Sequence, residues 1–186
     1  MGRPRSFEEG AALEAIMAAF WSGGYAATSV RDLARVAEVQ PNSLYQAFGD
    51  KEALFLVALD RYVAWVAGLV PLDQPPRRQI RLWFEGLLDR AYAADPPRGC
   101  LMLTAAAEAE QLPPAVRERV RQGMSQLRAF FARGVADARG DKADAFAIAE
   151  VLVTLIAGLS VRARLGAPEA ELREVVARAF VELGLD

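Results

Sequence analysis

The sequence contains no histidine and a single cysteine among its 186 residues. Without histidine, the chain can form neither the Ser-His and Cys-His pairs of nucleophilic enzymes nor a metal site with imidazole ligands. It also has no Gly-x-Gly-x-x-Gly segment after a strand and no Gly-Lys-Ser/Thr loop for phosphate. One cysteine excludes an intrachain disulfide and is typical of a reducing compartment. We therefore expect a protein that is not an enzyme and that holds no cofactor and no metal.

Long uninterrupted apolar runs are also missing. The longest apolar stretch, residues 143–161, contains Asp144 and Glu150, so a buried helix is expected there rather than a membrane span. Arg3 and Arg5 near the start are followed by no apolar segment, so no signal peptide is expected. Together these absences predict a cytoplasmic protein with no membrane partner.

The N-terminal part has no excess of positive charge, although a domain that binds nucleic acid usually has more Lys and Arg than Asp and Glu. Residues 1–52 contain five Lys and Arg residues against seven Asp and Glu residues. Several of the acids lie at predicted helix starts, where they stabilise the helix dipole. Residues 2–5 are expected to form a basic arm that follows a phosphate backbone or enters a minor groove, or else a solvated terminus.

Two short helices and a tight turn are predicted between residues 28 and 49. Ser29 and Asp32 form a capping-box pattern at the start of the first helix. Residues 37–39 form the turn, Pro41 suits the first turn of the second helix, and Gly49 ends it. Two such helices joined by a three-residue turn are typical of the helix-turn-helix, which places its second helix in the DNA major groove.

The segment FWSGGYAATSVRDLARVAEVQPNSLYQAFGDKEALF, residues 20–55, resembles the tetracycline-repressor (TetR) family of transcriptional regulators. The resemblance lies in the aromatic-Gly-Tyr before the threonine, the Leu-Tyr-x-x-Phe of the second short helix and the Lys-Glu-x-Leu-Phe after it. The chain departs from the family at Glu38, where the family usually has a glycine in the turn. The resemblance implies an all-α fold. It also implies a DNA-binding head and a body that binds a small effector molecule and a second copy of the chain.

The remaining sequence is helical in pattern and divides at the proline-rich residues 71–76. We predict a helix-turn-helix DNA-binding domain over residues 1–52, a linking helix over 53–69 and a ligand-binding and dimerisation domain over 70–186. About nine helices are expected. Besides the two short ones, they cover residues 7–22, 52–69, 77–94, 100–110, 115–138, 141–164 and 168–183.

The DNA-binding residues are assigned by their positions in the helix-turn-helix motif. Gln and Asn side chains at the start of the second helix can read adenine through paired hydrogen bonds. Thr28, Arg31 and Lys51 resemble residues that contact phosphates and fix orientation. The expected contacts with base edges, thymine methyl groups or the backbone come from Gln40, Pro41, Asn42, Ser43, Tyr45 and Gln46. For Tyr45 the alternative is a core aromatic.

The body is expected to bind an apolar or aromatic effector that shifts the protein away from its operator-binding conformation. The candidate cavity residues are Trp83, Leu87, Cys100, Met102, Leu103, Leu127, Phe130 and Phe131. Cys100 follows Arg98 and begins a helix, so its thiol pKa could be lowered and the thiol could react with electrophiles; the alternative is an inert buried cysteine. Glu108 and Glu110 are expected to belong to a solvated face.

The last two helices resemble those that form a four-helix interface between two TetR subunits. The candidate interface residues are Ala147, Val151, Thr154, Gly158, Val176 and Phe180; the alternative is that both helix faces pack within one subunit. The expected partners are therefore a palindromic double-stranded DNA operator, a small-molecule effector and a second copy of the chain. Two other interpretations stay open: a helical receptor or scaffold protein without DNA binding, and a small helical enzyme that uses the central cavity.

Overall fold

The computed structural model describes residues 9–140 and 142–186, and over these ranges it contains nine helices and no strand. The helices are α1 (Glu9–Ala27), α2 (Val30–Val36), α3 (Pro41–Phe48), α4 (Lys51–Ala67), α5 (Pro76–Tyr92), α6 (Leu101–Ala107), α7 (Pro114–Arg139), α8 (Ala145–Arg164) and α9 (Glu169–Glu182). The all-α fold expected from the sequence is confirmed.

The first helix, α1, is broken near its end by Gly24, whose φ of 78° and ψ of 178° are not helical. The sequence predicted an end at Ser22, whereas the helix continues through Gly23 and resumes after the break as far as Ala27. The predicted start at Phe7 and the predicted basic arm lie outside the described residues. The break at Gly24 redirects the chain towards α2.

Local capping residues determine the bounds of α2 and α3. The Ser29 hydroxyl accepts the Asp32 N–H at 3.1 Å and the Asp32 carboxylate accepts the Ser29 N–H at 3.2 Å, which confirms the capping box. Glu38 in the turn has a φ of 54°, the left-handed conformation that glycine adopts most readily. Gly49, with a φ of 87°, ends α3, and Asp50 accepts a backbone N–H of the first turn of α4 at 2.9 Å.

Aromatic rings join α1 to α4. The ring of Phe20 packs edge-on against Phe55 with centroids 4.6 Å apart, and Trp21 packs in the same way against Tyr62 at 5.0 Å. All four side chains are fully or almost fully buried. Because α4 also contacts α6 and α7, this core continues from the helix-turn-helix into the C-terminal helices.

A second group of rings lies where α5 packs against α7 and α9. Phe131 of α7 stacks on Phe84 at 5.5 Å and meets Trp83 edge-on at 5.2 Å. Phe180 of α9 packs edge-on against Phe84 at 5.6 Å. On its other side α7 packs along α8, so α7 is the central helix of the C-terminal part.

Besides α1, two helices differ from the sequence prediction by three or more residues at one end. Helix α6 ends at Ala107, before the predicted end, and α8 begins at Ala145, after the predicted start. In the described part of the chain, α8 is the one helix long and apolar enough to cross a membrane by length and composition, and 39% of its most apolar window is buried. It packs along α7, as a core helix of a globular protein does.

Candidate functional site

Helix α3, the second helix of the helix-turn-helix and the expected recognition helix, is anchored by one side chain and presents several others to solvent. Leu44 is fully buried and holds α3 against the core. Gln40, Asn42 and Gln46 are exposed, and the Tyr45 side chain is 50% exposed. The alternative interpretation of Tyr45 as a core aromatic therefore does not hold in this structure. The solvent-facing surface of α3 carries the amide and phenol groups that can meet base edges.

Three further predicted DNA contacts occupy less open positions. Pro41 and Ser43 are half-buried on α3. The expected phosphate contact of Thr28 requires a correction. Its side chain is buried and its hydroxyl donates to the Gly24 carbonyl at 2.7 Å. The hydroxyl of Thr28 closes the break at the end of α1, so it holds the backbone rather than facing a phosphate.

Two predicted phosphate contacts differ in their surroundings. Arg31 is exposed on α2. Lys51 is half-buried, with its Nζ 4.4 Å from the centroid of the Tyr25 ring and 3.4 Å from the Ala26 carbonyl oxygen. Burial lowers the pKa of Lys51, and the negative charge of Glu108 opposes that change. Lys51 is thus in part a structural residue.

The capping box of α2 also contains an ion pair on the exposed surface. Hydrogen bonds from Ser29, and then from Arg35 at 2.8 Å, lower the pKa of Asp32 from 3.8 to about 2. Because the folded-state pKa is depressed, the stabilising contribution is present above about pH 3.8 and is lost as the pH falls towards 2. The cap is therefore intact throughout the neutral range.

A carboxylate that the sequence placed on a solvated face contacts the end of α1 instead. Glu108, just after α6, accepts the Tyr25 N–H at 2.6 Å and the Ala26 N–H at 3.1 Å. The expectation of a solvated Glu108 was wrong because its partners lie about eighty residues earlier in the chain. Glu110 is exposed, as expected.

A cavity of about 280 Å³ lies between α4, α5, α6 and α7. Most of its wall is apolar, and its polar side chains are few. Five of the residues predicted for the cavity line it: Trp83, Cys100, Met102, Leu127 and Phe130. The wall also contains Tyr62, Val63, Val66, Val70, Met124, Gln79, Gln126 and Arg133, which the sequence analysis did not identify.

Three predicted cavity residues lie elsewhere. Phe131 is fully buried among the rings of Trp83 and Phe84. Leu103 faces a separate open groove between α1, α6 and α8. Leu87 is buried on the side of α5 that faces α8. In each case helical periodicity identified an apolar residue but not which neighbouring helix it faces.

Two polar groups of the cavity wall are buried and uncharged. Burial raises the pKa of the Cys100 thiol and raises that of the Tyr62 hydroxyl well above its ordinary value. The predicted lowering of the Cys100 pKa is therefore wrong: the absence of water outweighs the helix start, and the Arg98 guanidinium lies over the Trp21 ring. The Tyr62 hydroxyl lies beside the thiol but has no hydrogen-bond partner of good geometry in the described part of the protein.

The unpartnered hydroxyl leads to a prediction about stability. Tyr62→Phe should raise the free energy of unfolding by about 1 kcal/mol, because a buried hydroxyl without a partner costs roughly 1–3 kcal/mol. The matched control is Tyr92→Phe, which removes a hydrogen bond from the Tyr92 hydroxyl to the Ala167 carbonyl at 2.5 Å and should destabilise the protein. Urea unfolding measures both changes. Destabilisation by Tyr62→Phe would show that the hydroxyl has a partner in solution.

Part of the predicted dimer face is open in the single chain. Ala147, Val151, Thr154 and Gly158 are exposed along one side of α8. No atom lies within 4 Å of the position that a Cβ would occupy at Gly158. The same side of the protein exposes Phe146, Val161 and Leu165. An apolar surface of this kind on a monomer is typical of a protein-protein interface.

The two predicted interface residues of α9 require a correction. Val176 and Phe180 are buried within their own chain, and Phe180 packs against Phe84 of α5. They cannot also form the outer surface. The apolar stripe of α9 is used inside the subunit, whereas Val181 of the same helix is 62% exposed.

Comparisons with known proteins agree with this architecture. Residues 12–58 match the family model described as bacterial regulatory proteins, tetR family, and residues 76–180 match the tetracyclin repressor-like C-terminal domain. The HTH-type transcriptional repressor ComR of Escherichia coli (strain K12) is 30% identical, with 94% of this chain and 88% of ComR covered.

Solved structures show the same fold over almost the whole chain. A cysteine mutant of the TetR family transcriptional regulator CifR, complexed with a 26-base-pair double-strand operator DNA, is 32% identical with a TM-score of 0.80, covering 96% of this chain and 97% of that one. A TetR transcriptional regulator from Legionella pneumophila superposes with a TM-score of 0.82 at 18% identity, covering 96% of both chains. With its helix-turn-helix in α2 and α3 and a matching C-terminal half, the chain belongs to the TetR family and is a DNA-binding transcriptional regulator.

Proposed function

We propose that the protein is a homodimeric repressor that leaves a palindromic operator when a small, mainly apolar molecule binds the cavity between α4 and α7. The observation that supports DNA reading most strongly is α3 itself, where one buried leucine, Leu44, anchors a helix whose polar side chains face solvent. The similarity to CifR, which was solved on operator DNA, supports the same assignment. The protein acts on DNA in the cytoplasm.

Base recognition is assigned to the exposed start and outer side of α3. Gln40 and Asn42 have amides that can bond adenine in the major groove, and Tyr45 and Gln46 lie beside them. Arg31 contacts phosphate and fixes the register of the head on the duplex. Pro41 and Ser43 contact the DNA at the edge of the same surface, and Lys51 adds charge behind it.

The effector is a molecule with an apolar body, at least one hydrogen-bond acceptor, and no charge on the part that meets Cys100 and Tyr62. A cavity of about 280 Å³ is at the small end of the range of ligand pockets. A charged group would be costly beside Cys100 and Tyr62, which the same surroundings keep neutral. An acceptor, by contrast, would satisfy the Tyr62 hydroxyl.

Release requires that the effector bind one conformation of the protein more tightly than another. Residues 70–186 form the ligand-binding and dimerisation domain, residues 1–52 the DNA-binding domain, and α4 joins them. Two subunits associate through the exposed side of α8 and the neighbouring surface of α9. An effector that fills the cavity favours a spacing of the two heads that does not match the operator.

The experiment that tests this function begins with selection of bound DNA from a random library by the purified protein. The expected result is a palindrome whose half-sites lie about one helical turn apart, or 34–36 Å. Small neutral molecules are then screened for release of that DNA, with Trp83→Ala as the cavity variant. Selection that returns no consensus sequence would contradict the proposal. A small molecule that releases the DNA equally well from the wild type and from Trp83→Ala would show that the effector binds outside this cavity.

A further inference from the structure

The end of α1 is held by the carboxylate of Glu108, the residue that follows α6. Helix α1 is interrupted at Gly24, whose φ and ψ are not helical, and two N–H groups directly after the interruption donate to a side chain outside the helix. One carboxylate oxygen of Glu108 accepts the N–H of Tyr25 at 2.6 Å and that of Ala26 at 3.1 Å. Hydrogen bonds from N–H groups to a carboxylate are stronger than those between neutral groups. Glu108 therefore connects α6 to the turn that leads into the helix-turn-helix.

The backbone is shaped to admit this carboxylate. At Gly24 a Cβ would overlap the Glu108 carboxylate, and the φ of 78° is one that residues with side chains rarely adopt. The Thr28 hydroxyl donates to the Gly24 carbonyl at 2.7 Å and closes the turn from the other side. The turn thus has a fixed conformation that depends on Glu108 as its external partner.

The start of α4 contacts the same turn. The Lys51 ammonium group lies 3.4 Å from the Ala26 carbonyl oxygen and 4.4 Å from the centroid of the Tyr25 ring. The capping residue of α2, Ser29, follows Ala26 by three residues. Any movement of this turn is therefore passed to α2, and through the tight turn to α3.

A second polar contact ties the same region to α8. The Arg164 guanidinium donates to the Thr104 hydroxyl of α6 at 3.0 Å and reaches the Ser22 carbonyl of α1 at 3.5 Å. Since α8 carries the proposed dimer face, the end of α1 is joined to that face through Arg164 and to α6 through Glu108. The end of α1, which leads into the helix-turn-helix, therefore has polar contacts with both sides.

We propose that Glu108 is a positioning residue that fixes the distance between the two recognition helices of the dimer. This inference rests on the proposed function. Two copies of α3 must enter successive major grooves about 34–36 Å apart. A DNA-binding head that rotates about the turn at the end of α1 holds the two α3 helices at this distance for a smaller fraction of the time. Apparent affinity falls by the fraction of molecules that have the competent geometry.

The test uses Glu108→Ala and Glu108→Gln, with Glu110→Ala as the control because Glu110 is an exposed carboxylate two residues away. Two quantities are measured: amide hydrogen exchange at Tyr25 and Ala26, and affinity for the selected operator and for a copy with one extra base pair between the half-sites. Loss of a hydrogen bond to a charged group should speed exchange by about tenfold or more in Glu108→Ala.

The same variant should bind the operator about tenfold more weakly and should discriminate less between the two spacings, as a head freed from its fixed orientation would. Glu108→Gln, which keeps an acceptor oxygen, should give intermediate values, and Glu110→Ala should match the wild type. A purely structural role for Glu108 would lower the melting temperature and leave the spacing ratio unchanged, and that result overturns the inference. Failure of the wild-type protein to select any operator would contradict the proposed function itself, and with it the inference.

Discussion

Gly158→Leu should prevent the proposed dimer from forming. Gly158 lies at the middle of the exposed side of α8, where we place the closest approach of the partner subunit. Overpacking a tight contact costs about 1–3 kcal/mol, and in a two-fold dimer both copies meet the change. The monomer itself has no reason to be destabilised, because nothing lies within 4 Å of the new Cβ and leucine favours helix more than glycine does.

Loss of the proposed dimer should be visible in two measurements. Sedimentation should give a single monomeric species while circular dichroism remains helical, and operator affinity should fall by about 10²-fold or more because the two half-sites are no longer bound together. The control is Ala129→Leu, which adds a leucine to an exposed position of α7. A Gly158→Leu protein that remains dimeric would move the interface away from this side of α8.

Leu44→Ala should remove the recognition helix from its native position. Leu44 is fully buried, and leucine-to-alanine changes in a core typically cost about 2–5 kcal/mol. Helix α3 has only eight residues, so it is too short to be stable without this contact. We expect a lower free energy of unfolding in urea and loss of operator binding.

Gln46→Ala is the matched variant for Leu44→Ala, since Gln46 lies on the same helix and is exposed. It should weaken DNA binding with a change in stability of less than about 0.5 kcal/mol. Comparison of the two variants distinguishes a side chain that holds α3 in position, Leu44, from one that is proposed to face DNA, Gln46. A Leu44→Ala protein as stable as wild type would mean that α3 does not depend on this anchor.

Features that depend on neighbouring residues in the sequence could be predicted. The capping box of Ser29 and Asp32, the end of α3 at Gly49 and the cap at Asp50 are all decided within one helical turn. The buried residues of α4, among them Leu54, Ala58 and Tyr62, recur at helical spacing, which is also a local signal. The comparisons confirm the family that these local signals indicated.

Features that depend on distant residues could not be predicted. Glu108 has no local signal, because its acceptor role is created by the break at Gly24. Phe180 and Val176 have an apolar periodicity that suits either an internal contact or an interface, and packing on α5 and α8 decides between them. The sequence shows that Cys100 lies near Arg98 and at the start of a helix. It does not show that Cys100 is buried, and this burial raises the pKa of the thiol.

Reading of DNA sequence by the exposed surface of α3 is measured by repeating the operator selection with Gln40→Ala and with Arg31→Ala. Gln40→Ala should change the preferred bases in each half-site, with a loss of about 1–3 kcal/mol of discrimination. Arg31→Ala should leave the base preferences unchanged and lower the affinity for all DNA sequences by the same factor. It should also reduce the slope of log affinity against log salt by about 0.9 for each phosphate that the variant no longer neutralises. Base preferences that are identical in Gln40→Ala and in the wild type would show that this surface of α3 does not read the bases.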